Sequence, residues 1–291
     1  MPLESSIVGR CGAPLTQEID ARWTMAYAAG LGHADACYLD THARADVLAH
    51  PLFPVCFEWP LFLAPEHLPA PDALGPGDRV RGVHATHDLV LHRPLRAGTT
   101  VTTTAKVVQV AARRSGAFQL TRLDTTDDTG APLCTTWYGT LFRDIEVEGQ
   151  DAALADELAP PLPEASKPDG DPLPVPIAAN AAHVYTECAR IWNPIHTDAA
   201  VARRAGLPAI ILHGTATLAL AVSRVVETRL GGDAERIARI GGRFGAMVAM
   251  PSVPTLRVGA PPSADRPAVG FEVRTPDGGP ALRDGFVLPR S

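Results

Sequence analysis

The segment Asn193-Pro-Ile-His-Thr-Asp198, followed by Ala205-Gly-Leu-Pro-Ala-Ile-Ile-Leu-His-Gly-Thr-Ala-Thr-Leu218, gathers residue types that reactive sites use. His196 carries an imidazole, whose ordinary titration range suits proton transfer in either direction near neutrality. Gly214 opens an apolar run that reads as a buried helix. Its backbone N–H, with the positive end of the helix dipole, would face whatever lies in front of it. Having no side chain, it would let a ligand approach closely. Asn193 can position a water molecule or the loop that bears His196. Tyr185, Arg190 and Arg243 are candidate substrate contacts, the two arginines being suited to a carboxylate or a phosphate. Each residue also has a plainer reading. Asn193-Pro194 is a common turn, Asp198 sits where the next helix needs a cap, and His213 suits a structural role ahead of its helix. Trp192 suits packing, and both arginines could simply be solvated.

Other chemistries find little support. His84, His87 and His92 lie on one expected strand with mixed parity, so at least one side chain should point away from the other two and no metal site is expected. No G-x-G-x-x-G, P-loop or G-x-S-x-G occurs, so neither a nucleotide cofactor nor a serine nucleophile elbow is indicated, and no cofactor is expected. Five widely spaced cysteines without a C-x-x-C pair suit a reducing compartment better than a disulfide framework. With net charge -6 and no concentration of Lys and Arg, nucleic acid is not an expected partner. The stretch MPLESSIVGRCGAP lacks the basic and apolar regions of a signal peptide, and Ala209–Val226 is too short and polar to span a membrane. A soluble, cytoplasmic protein without membrane contact is the expectation.

The elements that must hold these residues repeat one order twice. In residues 1–145 a helix is expected over Ala21–Leu31 and an irregular stretch at Cys37–Asp40. An apolar segment over Leu48–Leu63 follows, interrupted by Pro51, Pro54 and Pro60. Alternating, β-branched runs at Ala85–Leu91, Thr99–Val110, Phe118–Thr125 and Leu133–Phe142 predict an antiparallel meander. Residues 146–174, rich in Pro, Ala and acids, read as an extended, poorly packing connector. In residues 175–291 a short helix near Tyr185 precedes the Asn193–Asp198 stretch. A second helix follows at Ala199–Ala205, then a long one at Gly214–Glu227. Strands are expected at Ile237–Val248, Thr255–Ala260, Ala268–Thr275 and Ala281–Leu288, with Pro276-Asp-Gly-Gly279 turning between the last two. Tyr27 and Tyr185 each stand eleven residues before a ring, Tyr38 and His196, and thirteen before an acid, Asp40 and Asp198, which favours duplication of one unit. Thr215–Val222 shows no polar face, so it must be enclosed; a curved antiparallel sheet around one helix does that. The fold class expected is α+β.

The Asn193–His196 motif and the later Leu212-His-Gly214, in that order and spacing, resemble the MaoC-like (R-specific) enoyl-thioester hydratase/dehydratase family of double hot-dog proteins. Arg243–Pro251 and Phe271–Leu288 resemble the strand after that family's central helix and its closing hairpin. Detailed resemblance covers about Ala182–Leu288, and over the N-terminal half it is architectural. It implies two hot-dog halves, the first a non-catalytic wall of an acyl groove, to which His50–Trp59 could contribute, and the second holding the site. It implies reversible hydration of a 2-enoyl thioester carried on CoA or an acyl carrier protein. His196 would be the acid/base, Gly214 N–H the oxyanion donor and Asn193 the positioning group, with no metal or redox cofactor. Hot-dog sheets often pair further, so a homodimer stays open. One departure stands out: the family's catalytic Asp falls at Ile191, and the Gly before it at Arg190. Either another acid (Asp198, Glu187 or one from the N-terminal half) serves, or His196 acts alone on a substrate whose own carboxylate assists, or the protein binds or isomerises an acyl thioester without hydrating it. A hot-dog thioesterase is a further alternative, against which the Asn193–His196 motif speaks.

Overall fold

The computed structural model of the chain describes residues 1–68, 74–79 and 81–290. Helices run over Ala21–Gly30 (α1), Ala36–Leu39 (α2), Pro54–Leu63 (α3), Pro76–Arg79 (α4), Ala181–Ala189 (α5), Ala199–Arg204 (α6) and Gly214–Arg229 (α7). Strands run over Leu3–Glu4 (β1), Leu15–Ile19 (β2), Gly82–Leu91 (β3), Thr99–Arg113 (β4), Gly116–Asp127 (β5), Pro132–Arg143 (β6), Val147–Glu148 (β7), Ala152–Ala153 (β8), Leu173–Pro174 (β9), Ile237–Phe244 (β10), Thr255–Val258 (β11), Val269–Arg274 (β12) and Pro280–Pro289 (β13). The described chain divides into two compact units. One comprises residues 1–17, 58–92 and 100–161, the other 18–57, 93–99 and 162–291. Residues 18–57 thus group with the C-terminal portion.

In the first unit β4, β5 and β6 form an antiparallel meander, and β3 pairs with β6 rather than with its sequence neighbour β4. Leu61 of α3 packs on this sheet with Ala105 and Leu123. His84 and His87 differ in parity, yet their rings lie 5.4 Å apart. The ladder shifts register between His84 and Thr86, and such a bulge resets the alternation of side chains. His92 turns elsewhere, to Thr135 Oγ1 at 3.1 Å.

In the second unit β11, β12 and β13 form a meander, and β10 pairs with β13. That strand order repeats the one in the first unit, as duplication of one fold requires. The α7 helix lies against β10, β12 and β13 and buries Ala216–Ala219, Ala221, Val222, Val225 and Val226. Its only polar stripe, Arg224, Glu227 and Thr228, comes in the last turns and faces water. Strand β10 ends at Phe244, four residues before the expected Val248. Beyond it, Val248 O accepts from Leu212 N–H at 2.9 Å, which draws the chain back beside the residues preceding His213.

The acidic, Pro-rich connector is attached along its length. β7 pairs with β1 and β8 with β4, and Leu154 and Leu158 pack on Val108, Leu120 and Trp137. Past Pro161 it joins the second unit, where Ser166 is buried and its hydroxyl donates to Ala260 O at 2.9 Å. Part of this attachment runs through backbone groups, which any residue but proline can offer in both senses and which composition does not reveal. Among the described residues no helix is long and apolar enough to cross a membrane.

Candidate active site

The site is built from the chain between α5 and the first turn of α7. Helix α5 ends at Arg190, which takes the left-handed conformation (φ 58°). This backbone favours glycine, and a side chain costs about 1 kcal/mol there. The Arg190 guanidinium lies over the Trp23 ring, 4.3 Å from its centroid, a cation–π contact that offsets roughly that amount. Ile191 then turns inward and is 5% exposed, so an apolar side chain fills the place where the family resemblance puts a carboxylate. Trp192 is exposed. Asn193 accepts at Oδ1 from Ile195 N–H at 3.4 Å, capping the short 3₁₀ turn Pro194–His196. Asp198 accepts from Ala200 and Val201 N–H at 2.8 and 3.0 Å as the N-cap of α6. Those two bonds hold its carboxyl below the usual range, which suits a cap and not a proton carrier.

His196 Nδ1 lies 2.8 Å from Ile211 O. A carbonyl only accepts, so Nδ1 carries the proton and, in the neutral ring, Nε2 is left with its lone pair. Burial lowers the His196 pKa to about 4, opposed by the Ile211 hydrogen bond, so the ring is a neutral base at physiological pH. Its face stacks on His213 at 3.7 Å between centroids and 25° between planes. His213 is buried, with Nε2 3.2 Å from Thr186 Oγ1 of α5. Burial, and next the charge His196 would carry, lower its pKa to about 2. His213 is therefore a neutral wall behind His196.

His213 is also the N-cap residue of α7, and the first N–H groups of a helix find no partner inside it. Gly214 is the first helical residue. A Cβ there would lie 2.9 Å from Cδ1 of Phe244, so Phe244 of β10 already requires glycine, independently of any ligand. Arg243, next along that strand, points to the opposite face; it is exposed and lies 4.0 Å from Asp284. Tyr185 is 2% exposed and stands behind the site. Its hydroxyl donates to Thr215 Oγ1 at 3.0 Å and lies 3.4 Å from the Tyr27 hydroxyl. The structure thus brings His196, His213, Gly214 and Asn193 together, with Tyr185 in support, and takes Arg190 to Trp23 and Arg243 outward. Sequence reasoning missed Thr186, Thr215, Phe244 and the Ile211 carbonyl, none of which belongs to a reactive residue type in a recognisable pattern.

Comparison with known proteins bears on the fold. Residues 165–259 match the MaoC like domain, and residues 6–136 match the FAS1-like, dehydratase domain region. A MaoC-like dehydratase from Phytophthora capsici superposes with TM-score 0.82 at 21% identity, covering 98% of this chain and 96% of that one. Rv0216 of Mycobacterium tuberculosis, described as a double hot-dog fold, superposes with TM-score 0.58 at 14% identity over 97% and 96% of the two chains. The enoyl-CoA hydratase ChsH3 of Mycobacterium tuberculosis is 37% identical over 98 residues, 34% of this chain and 30% of that protein. Matches to three curated relatives span only 3%, 30% and 17% of those proteins' lengths. The architecture is that of a double hot-dog protein. Within that class a MaoC-like domain matches the C-terminal half of the chain and a FAS1-like dehydratase region matches the N-terminal half.

Proposed function

We propose that this protein catalyses reversible hydration of a 2-enoyl thioester to the 3-hydroxyacyl thioester, carried on CoA or an acyl carrier protein. The observation that supports this most is the state of His196: neutral, protonated at Nδ1, with Nε2 available beside the N-terminus of α7. His196 Nε2 takes a proton from water as its oxygen bonds to Cβ, and the Cα–Cβ π electrons shift towards the thioester carbonyl. The Gly214 N–H and the helix dipole stabilise the resulting enolate oxygen. The imidazolium then returns its proton to Cα, so H and OH add across the double bond and the histidine is restored. Ile191 removes the second acid, so one imidazole serves both steps. Asn193 shapes the turn that presents it. No metal or redox cofactor is needed, and the ChsH3 relative supports a CoA thioester as substrate.

A second reading is an acyl-thioester binder without turnover, favoured by the apolar Ile191 and by Asp198 being committed to its cap. Loss of enoyl absorbance should be followed with crotonyl-CoA, mesaconyl-CoA and a longer 2-enoyl-CoA, using wild type, His196→Ala and Ile191→Asp. Turnover abolished by His196→Ala is the expected result, and Ile191→Asp should raise it. Turnover confined to mesaconyl-CoA would mean that the substrate's carboxylate assists. Tight binding without turnover in wild type and His196→Ala alike would sink the hydratase in favour of the binder.

A further inference from the structure

Helix α7 carries four hydroxyl side chains, and three of them spend their proton on the helix itself. Thr217 donates to His213 O at 3.3 Å, Ser223 to Ala219 O at 2.9 Å and Thr228 to Arg224 O at 2.6 Å, each four residues back. Thr215 sits in the first turn, where no helical carbonyl lies four residues behind it. It accepts from Tyr185, whose hydroxyl is itself within reach of Tyr27. Three hydroxyls in a row own three protons, but the row has only two internal acceptors. One proton must therefore leave the row at an end. Tyr27 is fully buried at one end, while Thr215 is half-buried at the other, so the proton leaves at Thr215. The Cα–Cβ bonds of a helix tilt towards its N-terminus, which carries this hydroxyl to the end where the Gly214 N–H is unpaired. Burial raises the pKa of both tyrosines, so both remain donors and polarise the row in one sense.

We propose that Thr215 is a second hydrogen-bond donor to the thioester oxygen, beside Gly214 N–H, and that Tyr185 is the residue that positions it. The inference rests on the hydration reading for its substrate class. It deepens that reading by giving the oxyanion a side-chain donor in a site that lacks the family carboxylate.

The test uses acetoacetyl-CoA, whose enolate absorbance grows when donors hold its oxygen, together with turnover of crotonyl-CoA. Thr215→Val keeps the shape and removes the proton. It should reduce the bound enolate signal and kcat by about 10- to 100-fold with little change in KM. Thr215→Ser should stay within about threefold of wild type. Tyr185→Phe should fall between the two. An enolate signal equal in wild type and Thr215→Val overturns the second donor, whatever happens to crotonyl-CoA. Loss of the signal in Thr215→Val with no crotonyl-CoA turnover in wild type upholds the donor and sinks hydration. No enolate signal in wild type overturns the second donor, and crotonyl-CoA turnover then decides hydration by itself.

Discussion

At the scale of single residues, two small facts decide what the site can do: which nitrogen of His196 holds the proton, and what occupies the space beside Gly214. The first is set by the Ile211 carbonyl. The second is set by Phe244, whose ring lies where a Cβ would go. Gly214→Ala should therefore cost stability even without substrate, by about 1–3 kcal/mol, the usual penalty of overpacking. The cost belongs to the pair, so Phe244→Leu should relieve most of it. A double-mutant cycle read by urea denaturation would give a coupling of at least about 0.5 kcal/mol. Strictly additive effects would mean that the glycine answers to the ligand alone. Arg190 shows the same economy in reverse: a left-handed position that suits glycine is held by arginine because Trp23 offers its face.

At the scale of elements, α7 connects sequence to site most directly. Its apolar Thr215–Val222 run predicts enclosure, and the sheet of β10–β13 encloses it. Leu218 is fully buried, so Leu218→Ala should cost about 2–5 kcal/mol. Glu227→Ala, at an exposed i, i+3 pair with Arg224, should cost under about 0.5 kcal/mol. Equal urea midpoints for the two variants would contradict an enclosed helix. Periodicity made α7 and the eight long strands legible, since each is a local pattern of apolar and β-branched residues. Pairing of β3 with β6, and of β10 with β13, was not legible. Each joins residues some fifty positions apart, and no local pattern encodes a partner at that distance. The site divides the same way. His196, Gly214 and Asn193 stand out by type and spacing. The His213 stack and the Ile211 carbonyl join the Pro194–His196 turn to the chain before α7, and the Tyr27–Tyr185–Thr215 row joins α1, α5 and α7, contacts that only folding creates.

For the whole molecule, buried titratable groups set how stability responds to pH. Five imidazoles, His50, His84, His87, His196 and His213, have pKa values pushed down from 6.5, burial being the largest cause for each. Each contributes stability that is fully present above pH 6.5 and lost as pH falls towards the folded value, about 4 for His87 and His196. Glu58 has the opposite sign. Burial raises its carboxyl from 4.5 to about 8, against the Thr136 hydrogen bond, so its contribution is lost as pH rises through that window. Between pH 4.5 and 6.5 the imidazoles outnumber the one carboxyl, and stability should climb steeply with pH. Between pH 6.5 and 8 the carboxyl acts without that opposition, and stability should fall by roughly 1.4 kcal/mol per pH unit. The urea midpoint should therefore peak near pH 6.5, with a steep acid side and a shallow alkaline one. Glu58→Gln should flatten the alkaline side and leave the acid side in place. An alkaline fall that persists in Glu58→Gln would show that Glu58 is ionised in the folded protein.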